Sequence, residues 1–196
     1  ETAAFSLSCV MVGWLGTLPL AAHQVTITIS QLFYLILFGM ATAISIRISH
    51  FAGQNDIEGI KANSKDGFRL VLFCSLLLSI PTLIFRNQLG ALFSSNVEVQ
   101  QIVGMLIIVL IIYQFGDGMQ YTFSNALRGI SCVKPLVPCA FIAYFLVSLP
   151  LGYVLGFIAN LGILGIWLAF PFGLTLAGVL YWQRFRKELK KLEGRK

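Results

Sequence analysis

The chain has 196 residues, 57% of them apolar, 13% aromatic and only 11% charged, with a mean hydropathy of +0.83. Soluble domains carry about 25% charged residues, so this composition excludes a water-soluble monomer and, even more firmly, a disordered chain. The formal net charge of +6 is concentrated at the end, where Arg184, Arg186, Lys187, Lys190, Lys191, Arg195 and Lys196 fall within the last thirteen residues. A basic tail following an apolar segment reads as a topology signal or a contact with anionic lipid, not as a nucleic-acid surface.

The elements follow in chain order. Six apolar segments are expected to cross the membrane as helices: residues 2–22, 25–46, 68–85, 99–127, 136–159 and 161–182. Each approaches the roughly 20 residues a bilayer crossing needs, and none shows the alternation of a barrel strand. Residues 1–183 thus make an all-α six-helix transmembrane bundle, and 184–196 a basic cytoplasmic tail. His23 and Gln24 are expected to form the tight turn between the first two spans, which places His23, like His50, at a membrane interface. The first residue is Glu1, with no basic segment before the apolar run, so the chain reads as a piece of something longer and not as one opening on a signal peptide.

Charge between the spans orients them. Arg47, Lys61, Lys65, Arg69, Arg128, Lys134 and the seven tail residues fall on one side, and Arg86 alone on the other. The positive-inside rule puts both ends of the segment in the cytoplasm of a multi-pass protein, in a bacterial inner membrane. Cys9, Cys74, Cys132 and Cys139 form no CxxC pair and read as small apolar residues. Pro81, Pro150 and Pro171 interrupt spans, and Gly152 with Gly156 forms a small-xxx-small pair suited to close helix packing.

Asp117 is the residue that points to chemistry. It precedes Arg128 by eleven positions, about 16 Å at ~1.5 Å per residue, which sets it near the middle of a ~30 Å core. A carboxylate at that depth costs at least ~2.5–3.5 kcal/mol, and a helix keeps one when it faces a cavity, binds a cation or carries a proton. Tyr113, Gln114, Gln120, Tyr121 and Ser124 surround it with a polar stripe, and Gly116 and Gly118 flank it. Carboxylate, phenol and carbonyl oxygens suit a hard cation such as Na⁺, or a proton. Gln24, Thr28 and Gln31 form a weaker stripe on the second span, with Gln31 a further candidate for cavity lining, and Thr42, Ser45 and Ser49 another; packing and hydrogen bonding between helices account for these better than a site does. Neither a P-loop nor a nucleophile elbow is present, so enzymatic chemistry is not expected.

Three stretches together resemble one family. Glu1-Thr-Ala-Ala-Phe, Gly13-Trp-Leu-Gly-Thr17 and Leu20-Ala-Ala-His-Gln24 are similar to the seventh helix and following turn of multidrug and toxic compound extrusion (MATE) transporters. Arg47-Ile-Ser-His with Gly53-Gln54 resembles the next cytoplasmic loop, and Tyr113-Gln-Phe-Gly-Asp117 with Leu127-Arg-Gly129 the tenth helix and its exit. The resemblance implies the C-terminal six-helix lobe of a twelve-helix antiporter, partnered by an N-terminal bundle, that exports cationic, amphiphilic compounds in exchange for Na⁺ or H⁺. By position it implies that Glu1, Tyr113 and Asp117 surround the coupling cation, with no other cofactor, and that the first helix begins upstream of Glu1. Two other functions are weighed: a lipid-linked oligosaccharide flippase, which would need basic groups in its cavity, and a non-transporting membrane scaffold or sensor, which would not need Asp117.

Overall fold

The computed structural model describes residues 2–194. Among them there is no strand; the chain is a bundle of seven helices. These are α1 (Thr2–Gly13), α2 (Thr17–Gly53), α3 (Ile57–Ile84), α4 (Arg86–Phe93), α5 (Val97–Gly129), α6 (Leu136–Ile158) and α7 (Gly162–Glu193). Five of them, α2, α3, α5, α6 and α7, are long and apolar enough to cross a membrane. Within the described residues the first expected span is the 12-residue α1. The all-α membrane bundle is therefore the architecture.

Its middle is α5, which packs on α2 along one side, α7 along another and α3 along a third. Val103, Leu106, Ile107, Leu110 and Leu127 of α5 are completely enclosed. Helix α3 instead presents Phe73, Leu76, Leu77, Ile80 and Leu83 outward, an exposed apolar surface of the kind a membrane span carries.

The first turn departs from expectation. It lies at residues 14–16, and His23 and Gln24 sit inside α2. Gly16 has φ 115°, a conformation that ends α1 cheaply only at glycine. Pro19 then falls in the first turn of α2, where its missing N–H leaves no helical bond unmade. The polar pair at 23–24 marks a tertiary contact and not a chain reversal. His23 is fully buried, and its Nδ1 accepts a hydrogen bond of 3.1 Å from Trp167 Nε1 on α7, so its expected interfacial place is corrected. His50, exposed near the basic end of α2, lies 3.1 Å from Gln54 Nε2.

Other boundaries also shift. Helix α3 begins at Ile57, eleven residues before the expected span, capped by Asp56, whose Oδ1 accepts from the Gly59 amide at 2.9 Å. The segment after α3 is the short helix α4, not a loop. Helix α6 contains two wider turns, Ile142–Ser148 and Val154–Ile158, on either side of Pro150. Proline donates no N–H and crowds the carbonyl four residues back, and a widened turn accommodates both. Finally, α7 runs unbroken through the expected tail to Glu193, because Phe185 and Leu189, one turn apart, stay buried against the bundle.

Candidate functional site

The site is built on the packing of α5. A methyl group at Gly116 would stand 2.8 Å from Thr175 Oγ1 and 3.1 Å from the Thr175 backbone nitrogen, so α7 lies directly against that position. At Gly118 it would stand 2.9 Å from Val71 Cγ1, so α3 lies against the other. The flanking glycines therefore serve close helix approach, not open space for an ion. At 100° per residue, Asp117 falls between those two contact lines, on the side of α5 that carries Tyr113 and Tyr121. That side faces α2: the rings of Tyr34 and Tyr121 meet edge to face, 5.4 Å between centroids.

Asp117 is 2% exposed, on an uninterrupted helix, with Arg128 eleven residues further on near its basic end. One turn before and one turn after it, Tyr113 and Tyr121 border a cavity of about 280 Å³ between α1, α2 and α5. Thr2 and Phe5 of α1 and Ile27, Ser30, Gln31 and Tyr34 of α2 complete the lining. Phe170 of α7 backs this wall, 4.9 Å from Phe5 and 6.5 Å from Tyr113 between ring centroids. Among the described residues the lining carries no Lys, Arg or His and is aromatic and hydroxyl-rich; Asp117, on the same side of α5 between the two tyrosines in sequence, does not itself border it.

A second cavity of about 220 Å³ opens beyond Tyr121, lined by Gln120, Ser124, Arg128, Tyr144 and Tyr181 among others. Tyr121 borders both, so the polar stripe runs along two connected surfaces of α5. Each expected residue can now be placed. Gln31, Tyr113 and Tyr121 line the first cavity, and Gln120, Tyr121 and Ser124 the second. Gln114 lines neither: it is 1% exposed and turned to α3, where its side-chain oxygen lies 3.0 Å from Ser79 Oγ. That placement is a correction, and it follows from its position on the helix, toward the Gly118 contact line. Glu1 lies outside the described residues; Thr2, its neighbour in the chain, borders the first cavity.

Tyr34 and Ser30 are missed from sequence, although Tyr34 lies three residues beyond Gln31 on the same stripe. The threonine of that stripe folds back on its own helix, as others along α2 do. Thr28 Oγ1 donates to the Gln24 carbonyl at 2.9 Å and, off the stripe, Thr26 donates to Ala22 at 2.8 Å and Thr42 to Phe38 at 2.8 Å. They bridge no helices and offer a ligand little. Among the described residues no group of three or more His, Cys, Asp or Glu could enclose a metal ion. The chemistry on offer is a buried carboxylate with neutral phenol and amide oxygens, suited to a weakly held monovalent cation or a proton.

A helical bundle with five segments long and apolar enough to cross a membrane, and an acid enclosed in its central helix, defines a multi-pass membrane protein. The MatE family profile matches residues 1–154, and the chain belongs to that family. It is 37% identical over 184 residues to the multidrug resistance protein NorM of Aliivibrio fischeri, covering 92% of this chain and 40% of the relative. The NorM of Photobacterium profundum is 32% identical over 95% of this chain and 42% of the relative. This chain thus spans about two fifths of the length of the curated relatives it matches. The crystal structure of the eukaryotic MATE transporter AtDTX14 superposes with a TM-score of 0.88 at 21% identity, over 98% of this chain and 44% of that one. The Vibrio cholerae MATE transporter VcmN in its bent form gives 0.88 at 19% identity, over 97% and 43%. At those identities the likeness is one of fold.

Proposed function

We propose that this chain forms one lobe of a cation-coupled antiporter that exports cationic, amphiphilic compounds, working with a second bundle of comparable size in the complete protein. The observation that carries the reading is Asp117, buried in the central helix one turn from each of two tyrosines that wall an aromatic cavity, with no basic residue in that cavity's described lining. A carboxyl group at that depth is tolerated with a proton or a cation on it, since a bare charge in the hydrocarbon region is costly. Tyr113 and Tyr121 place phenol oxygens one turn to either side, and the aromatic rings suit a flat organic cation. Exchange follows from competition: Na⁺ or H⁺ at Asp117, with Glu1 as its acidic partner and Tyr113 as a neutral ligand, is displaced as a cationic compound enters. Rocking of two bundles would then expose the site to either side in turn.

The charge distribution supports an orientation in a bacterial inner membrane with both ends of this segment in the cytoplasm. An enzymatic role has no support in the cavity. A flippase for pyrophosphate-linked lipids is disfavoured too, because the described linings of the two cavities hold a single cation between them, Arg128 near the basic end of α5.

The test uses the complete protein in proteoliposomes. Asp117→Asn keeps size and polarity while removing the exchangeable charge, so dye efflux driven by a Na⁺ or proton gradient should fall at least tenfold at unchanged expression. Tyr113→Phe, losing one ligand oxygen, should weaken the ion dependence by less. Normal efflux with unchanged ion dependence in Asp117→Asn would make Asp117 a structural residue and overturn the proposal.

A further inference from the structure

On the opposite side of α5 from Asp117, α3 and the end of α7 enclose a groove of about 780 Å³ whose floor includes Met119 and Phe123 of α5. Its rim is basic. Lys61 and Lys65 lie one turn apart on α3, Arg186 and Lys190 one turn apart on α7, and all four border the groove. Lys61 is already neutralised, paired with Glu58 and with Glu193. Lys65, Arg186 and Lys190 form no ion pair among the described residues. The Arg186 guanidinium is fixed over the Trp182 ring, 4.9 Å from its centroid, so it is held at the rim before anything binds.

The order of side chains along both helices is the informative feature. Moving from the rim into the span, Lys65 is followed by Phe68 one turn on, and Arg186 is preceded by Trp182 one turn back. Charge gives way to an aromatic surface within a single turn on both walls, at the same depth. A soluble anion needs the cations and leaves the apolar floor wet. An apolar chain needs the floor and wastes the cations. A molecule with an anionic head and acyl tails matches both, and basic pockets between helices at the membrane edge are where such headgroups are held.

We propose that the groove between α3 and α7 is a binding site for an anionic phospholipid. The phosphate sits between Lys65, Arg186 and Lys190, and an acyl chain lies over Phe68, Trp182 and Phe123. The proposal rests on the membrane placement of the helices and is independent of the drug-and-cation reading of Asp117, so either can fail alone.

The experiment takes the complete protein in nanodiscs with phosphatidylglycerol or phosphatidylcholine bearing a photoreactive group on the acyl chain, and maps the labelled peptides. Phosphatidylglycerol should label the peptides containing Phe68 and Trp182 several-fold more than phosphatidylcholine. Each surface cation near an anionic membrane contributes about 1 kcal/mol, a factor of about five. The double variant Lys65→Gln/Arg186→Gln should therefore lose most of that preference, while Lys134→Gln, which does not line the groove, keeps it. Excess inorganic phosphate should leave the labelling intact. Equal labelling by the two lipids, labelling indifferent to the double substitution, or displacement by free phosphate would each overturn the proposal. Should the double variant not fold, competition on the unaltered protein decides: unlabelled phosphatidylglycerol must compete better than phosphatidylcholine, and equal competition counts against the site.

Discussion

Helices α3 and α5 are equally apolar by hydropathy, yet they do different work. Over its apolar stretch α3 leaves most of its large side chains exposed on the outside of the bundle, whereas α5 is mostly enclosed by α2, α3 and α7, with Met105, Ile108 and Ile112 left outward. What separates them in the sequence is not how apolar they are but where they are not. Between Leu70 and Phe85, α3 has only hydroxyls, Cys74 and Pro81, and Ser79 and Thr82 bond their own helix at 2.7 Å each. Between positions 114 and 120 alone, helix α5 interrupts its apolar run with two glycines, two glutamines and an acid. The polar groups between Leu70 and Phe85 of α3 are short hydroxyls kept on its packed face, where Ser79 meets Gln114 of α5, while a central helix has neighbours for longer amide and acid side chains. The comparison teaches that hydropathy locates the spans and that the polar exceptions rank them by burial.

Substitutions can break that contrast. The largest effect is expected on α5. Gly116→Val would push carbon atoms into the Thr175 backbone, a contact that cannot rotate away, and should cost about 2–3 kcal/mol by overpacking. The measurement is the thermal midpoint in detergent, against Gly39→Val on α2, where a methyl group meets nothing within 4 Å and the midpoint should scarcely move. A smaller loss is expected where α3 and α5 meet through polar groups. Ser79→Ala leaves the enclosed Gln114 amide without its partner across the interface and should cost about 1–2 kcal/mol. Smallest is the outer face of α3. Leu77→Ala, at a position 57% exposed, exchanges side chain for lipid or detergent and should shift stability by less than about 0.5 kcal/mol. A loss there as large as that of Gly116→Val would mean that α3 buries this face against protein, and the contrast with α5 would fail.

The same distinction separates what was legible in the sequence from what was not. That Asp117 sits on one uninterrupted helix with a tyrosine one turn to either side follows from counting along the sequence. The orientation of each stripe residue does not, because it depends on which helix lies alongside: Gln114 and Tyr113 are adjacent in sequence, yet one is turned to α3 and the other to the cavity. The turn at residues 14–16 was hidden because its glycines lie within an apolar run, while the conspicuous polar pair His23 and Gln24 sits mid-helix. His23 tolerates burial through a partner 144 residues away, a contact that local patterning cannot register. Helix α7 outran its expected end for a related reason: Phe185 and Leu189 are only two apolar positions among many charges, but they fall one turn apart on the packed face.

The account stands or falls on whether Asp117 carries the exchangeable ion. The most direct measurement is ion release from the complete purified protein, in weakly buffered detergent solution, on addition of a cationic dye, with protons followed by a pH indicator and Na⁺ by a selective electrode. The unaltered protein should release one of these ions in proportion to the dye bound, and release should be lost in Asp117→Asn whether or not the dye still binds. Dye binding that releases the same amount of ion from both proteins would contradict the assignment.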